Sequence, residues 1–124
     1  MLPVSAKFYQ VILYVQDMES EVQFYRDVLG LTLRFPQGLE DFSDQMWVEF
    51  DAHPGILALH GGAQEKPDPL HEMVFEVTDI VKSRDAILAA DYEIAPIRIL
   101  EDGAPIAEGW DPEGHRFAIR ESKG

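Results

Sequence analysis

Residues 10–33 read QVILYVQDMESEVQFYRDVLGLTL: an alternating apolar run, an Asp, then apolar positions at helical spacing. A paler copy, EMVFEVTDIVKSRDAILAADYEI, starts at Glu72. In the first copy Val11, Leu13 and Val15 share one side of the run 9–15, while Gln10, Ile12 and Tyr14 share the other. That pattern predicts a strand with one apolar and one mixed face. Asp17 is placed to cap a helix, with Glu19 and Glu21 in a first turn where the helix dipole favours anions. Met18, Val22, Tyr25 and Val28 or Leu29 then recur at helical spacing, and Gly30 is a natural stop. Three strands are expected at 31–35, 45–51 and 56–60. The acidic loop PQGLEDFSD between the first two is long enough for a rim or a lid.

The stretch GGAQEKPDP, 61–69, reads as a linker by composition. The second copy predicts a strand at 72–77, Asp79 as cap, and a helix with Ile80, Ile87 and Leu88 toward the core. Strands at 93–100, 106–110 and 116–120 follow. Each half is thus β-α-β-β-β, as modules 8–60 and 70–121. Halves of about fifty residues are marginal alone, so residues 1–124 read as one α+β domain of two tandem βαβββ modules. Helices cover the apolar faces, and the mixed faces turn inward around a central cleft.

Composition narrows the function. Of 124 residues 46% are hydrophobic and none is Cys, which excludes disulfides, zinc knuckles and thiol catalysis. Asp and Glu number 23 against 10 Lys and Arg, a net charge of −13, and no basic cluster offers a nucleic-acid footprint. Acidity on this scale serves solubility, or steers a cationic ligand inward. No apolar run approaches the ~18 residues of a membrane span. The opening MLPVSAKFYQ has no basic region followed by an apolar core, so no signal peptide is read there and a cytoplasmic location is expected.

Alternation places Gln10, Ile12, Tyr14, Trp47, Glu49 and His60 on the mixed face of the first half, and Glu72, Glu76, Arg116 and Arg120 on that of the second. All but Ile12 and Glu49 are the candidate ligand-binding residues. Buried polar atoms left unpaired cost about 1–3 kcal/mol each, so such faces predict a wet or ligand-filled cavity with aromatic walls. His71 alternates away from Glu72, and His53 and His115 sit in Pro/Gly turns, which makes all three structural or solvated. Phe75 stands where a second His would complete H-E-x-x-H.

The segments VQDMESEVQFYRDVLGL, ILALHGG, FEVTDI and WDPEGHRFAI together resemble the vicinal oxygen chelate superfamily, which holds glyoxalase I, bleomycin-resistance proteins and extradiol dioxygenases. The resemblance spans residues 8–120 and implies a glyoxalase-like fold and a homodimer. In metal-dependent members four residues hold one divalent ion. Carried over by motif, these positions are Gln10, Ala58, Glu72 and Ala118. The two alanines cannot coordinate, and Ala118 also stands where the glyoxalase-like members keep a proton-transferring carboxylate. The resemblance therefore implies no cofactor and a small-molecule binding protein of glyoxalase/bleomycin-resistance type. No catalytic residue is assigned. Two rival readings stay open: a lyase, isomerase or dioxygenase-type enzyme with a divalent metal relocated to Gln10, His60 and Glu72, and sequestration of a cationic antibiotic.

Overall fold

The computed structural model describes residues 4–121. The chain divides after Gln64 into two units.

In the first unit, β1 (Gln10–Tyr14) leads into α1 (Met18–Gln23), and β2 (Thr32–Phe35), β3 (Trp47–Asp51) and β4 (Ile56–His60) follow. The strands form one sheet in the order β1-β4-β3-β2. β1 and β4 run parallel, whereas β4–β3 and β3–β2 are antiparallel. With side chains alternating between faces, Val48, Phe50, Leu57 and Leu59 fall on one side and are buried. Asp17 caps α1, its Oδ1 accepting from the Ser20 N–H at 3.1 Å. The helix then widens into a π turn, Phe24–Val28, with the Leu29 N–H bonded to the Phe24 carbonyl at 3.0 Å. The wider turn lets Phe24 and Tyr25 both enter the core. Their rings meet edge-on at 5.1 Å, and Tyr25 lies 6.4 Å from Phe50 of β3. Gly30 ends the segment at φ +77°, where a side chain would be strained.

The acidic loop before β3 is anchored, not a free lid. Phe42 is fully buried, its N–H donates to Glu19 Oε1 at 2.7 Å, and the Arg26 guanidinium lies 5.7 Å from its ring centre. Glu19 thus ties the loop to α1, and Glu21, in the same first turn, is fully buried.

The second unit repeats the plan with β5 (Glu72–Val77), α2 (Ile80–Ala89), β6 (Arg98–Ile99), β7 (Pro105–Trp110) and β8 (Arg116–Glu121), in the order β5-β8-β7-β6. Asp79 caps α2 through the Lys82 N–H at 3.0 Å, and the helix packs on β7 and β8. Ile80 and Ile87 are buried, but Leu88 is exposed. One residue past Ile87 is about 100° further round the helix, enough to leave the core stripe. The strand expected at 93–100 shrinks to Arg98–Ile99 and one isolated bridge, Ile94 to Gly109. Pro96 supplies no N–H to a ladder, and Arg84 takes the Ala95 carbonyl at 2.8 Å and that of Ile94 at 3.4 Å.

Candidate functional site

The mixed face of the first sheet is built from β1, β3 and β4. Ladder pairing puts Tyr14 beside His60, His60 beside Trp47, and Glu49 beside Ala58. Tyr14 and His60 rings lie 5.0 Å apart and tilted, and Trp47 meets His60 edge-on at 6.1 Å. Tyr14 remains 58% exposed, so this aromatic cluster opens to solvent. His60 Nδ1 lies 2.7 Å from the Gly61 carbonyl. A carbonyl only accepts, so Nδ1 carries the hydrogen and Nε2 of the neutral ring keeps its lone pair. Glu49 closes the cluster, accepting from Trp47 Nε1 at 2.8 Å and from Arg34 Nε at 3.1 Å. Arg34 reaches it because the β2–β3 register shifts between Leu33 and Phe35, a bulge that re-aims the side chain.

In the second sheet the mixed face carries a charge network. Arg116 Nη2 lies 3.0 Å from Glu72 Oε2 and 3.0 Å from Glu108 Oε2, while Nη1 donates to the Pro69 carbonyl at 3.0 Å. Arg98 Nη2 adds a contact to Glu108 Oε1 at 3.0 Å. Burial first, then the hydrogen bond and charge of Glu108, push the Glu72 carboxyl above its ordinary range. The hydrogen bond from Glu72, followed by that from Arg98, holds Glu108 below it. The two carboxyls act as one titrating pair.

Several expectations shift. Arg120 does not meet Glu72; it pairs with Asp102 at 2.6 Å in the turn before β7. Glu76 stands opposite Arg120 in the ladder, and among the described residues the side chains of Glu76 and Gln10 make no hydrogen bond or ion pair. His115 is buried with Asp111, Nδ1 to Oδ2 at 2.6 Å, and Asp111 Oδ1 also accepts from the N–H groups of Glu113 and His115. That pair stiffens the turn between β7 and β8. Glu108, Arg98 and Arg34 were missed as site residues. Laying the third strands of the two halves side by side matches Glu49 to Glu108, since each stands opposite an alanine of the last strand.

A family model for the Glyoxalase/Bleomycin resistance protein/Dioxygenase superfamily matches residues 7–119. The chain belongs to this superfamily. Among solved structures it is similar to a protein of unknown function from Agrobacterium tumefaciens str. C58, with 26% identity, a TM-score of 0.76 and 96% of each chain covered. A lactoylglutathione lyase from Agrobacterium tumefaciens has 20% identity and a TM-score of 0.70, with 98% of this chain and 97% of that one covered. The fosfomycin resistance protein FosX from Listeria monocytogenes has 13% identity and a TM-score of 0.76, with 97% and 96% covered. At such identities the last two speak for the fold alone. No curated protein matches the chain in sequence.

Of the four positions carried over by motif, Ala58 and Ala118 are fully buried and offer no donor. The carboxylates opposite them, Glu49 and Glu108, are already bonded to arginines. Of the relocated set, Gln10 pairs with Ile56 while His60 pairs with Tyr14. Four rungs at about 3.3 Å each separate the two backbones by about 13 Å.

Proposed function

We propose that this superfamily member binds a small organic molecule on the mixed faces of its sheets, works without the metal quartet of its metal-dependent relatives, and acts as a cytoplasmic homodimer. The observation that carries the reading is the substitution of alanine at two ligand positions, with the neighbouring carboxylates Glu49 and Glu108 neutralised by arginine. The Tyr14, His60 and Trp47 rings, with the His60 Nε2 lone pair among them, supply an apolar platform and one polar anchor for such a ligand. Gln10 adds a hydrogen-bonding group on the same sheet, Glu72 and Arg116 offer such groups on the mixed face of the second sheet, and the net charge of −13 favours approach of a cation.

Native mass spectrometry of the gently purified protein tests this. A bound mass in the small-molecule range is expected, lost in Tyr14→Ala, whose exposed ring can go without disturbing the core. A stoichiometric divalent metal in place of an organic ligand would sink the reading.

A further inference from the structure

The two halves treat the first ligand position of their opening strand differently. In the first half it is the neutral Gln10, and its ladder partner is the apolar Ile56. In the second half it is the anionic Glu72, and its ladder partner is Arg116. The arginine is matched to the charge.

Its geometry is that of a bound cation. A divalent ion shared by Glu72 and Glu108 would sit between Glu72 Oε2 and Glu108 Oε2, and Arg116 Nη2 lies there, 3.0 Å from each. The guanidinium stays charged at any working pH, so deprotonation does not remove its charge. The Pro69 carbonyl holds Nη1, and Arg98 occupies Glu108 Oε1. Both carboxylates are therefore committed to arginine nitrogens, and all of these groups belong to the second unit.

We infer that Arg116 is a resident cation standing in for a divalent ion, so that Glu72 and Glu108 form a cation site which the native side chain keeps closed. Arg116 is then the residue that decides metal-free recognition in this half. The inference deepens the metal-free reading above and rests on it. It also makes a separate claim, that the chelating pair persists and one substitution opens it.

Terbium is a suitable probe, because Trp110 is the ladder partner of Arg116 on β7 and can sensitise a lanthanide held by the two glutamates. Wild-type protein is expected to give no saturable Trp-sensitised luminescence at micromolar Tb³⁺. Arg116→Gln should bind at least tenfold more tightly, and the gain should vanish in Glu72→Gln/Arg116→Gln. A folded Arg116→Gln that binds no better than wild type overturns the assignment. If Arg116→Gln does not fold, wild-type protein titrated with Mn²⁺ and read by carboxylate ¹³C NMR decides. Glu72 and Glu108 should be spared while exposed acids such as Asp85 and Glu101 broaden, and selective broadening of the pair overturns the proposal. Broadening confined to the sheet of Gln10 would end the metal-free reading yet support the closed state of the Glu72 and Glu108 pair.

Discussion

Glu108 lies directly opposite Ala118 across the β7–β8 ladder, as Glu49 lies opposite Ala58 across β3–β4. Each half thus carries a carboxylate on its mixed face one strand away from the alanine of its last strand. An arginine from the edge strand, Arg34 or Arg98, holds each of them. The pairing is repeated, so it belongs to the module and not to one accident of sequence.

Glu49→Gln should barely change stability. Arg34 is half exposed, and ion pairs of that kind contribute about 0–1 kcal/mol. The Trp47 emission should shift nonetheless, because its Nε1–H loses a charged acceptor. Urea titration followed by tryptophan fluorescence reads both, and a loss of several kcal/mol would mean that Glu49 is a structural keystone.

Asp111→Ala should be costly. The Asp111 carboxylate is buried and serves two backbone N–H groups and His115 Nδ1. Removing it leaves buried donors unmatched, with an expected loss of about 3 kcal/mol or more. The urea midpoint should fall with an unchanged m-value. A loss below about 1 kcal/mol would show that the turn is held by backbone alone.

Glu72 and Glu108 should titrate in two steps, the upper carried mainly by Glu72 and the lower by Glu108. The raised Glu72 contributes stability while the pH is below its unfolded value, and that is lost as pH rises through its folded value. The lowered Glu108 contributes above its unfolded value, lost as pH falls through its folded one. Carboxyl ¹³C shifts against pH report both, and Glu108→Gln should bring the Glu72 midpoint down. Two midpoints in the ordinary glutamate range would show the pair to be uncoupled.

Light scattering at micromolar concentration should give about 28 kDa, twice the 14.0 kDa chain, since two-fold dimers are the commonest oligomers. A monomer at high concentration contradicts the proposed assembly.

Much of this was legible in the sequence for a physical reason. Period-two alternation in 10–14 and 72–77 and the capping aspartates Asp17 and Asp79 are local signals, and they carry strand parity and helix starts directly. The pairing of Arg120 with Asp102 was not legible, because the turn that presents Asp102 follows a strand shortened by Pro96. Glu108 went unnoticed because a single glutamate on a mixed strand resembles any solvated one. Its meaning comes from the ladder, where Ala118 and Arg116 are its neighbours.

The ladders also say something about when each half can form. β1 pairs with β4 and β5 with β8, so the opening strand of each module waits for the closing one. Gln10 cannot meet Ile56, nor Glu72 meet Arg116, until nearly the whole module exists. During synthesis, at about 5–20 residues per second, the opening strand of each half is exposed for several seconds before its partner emerges. Such non-local pairing slows folding and leaves apolar edges open to other chains meanwhile. A nascent chain stalled before Arg116 would carry β5 unpaired on the side where β8 belongs, a natural target for chaperones.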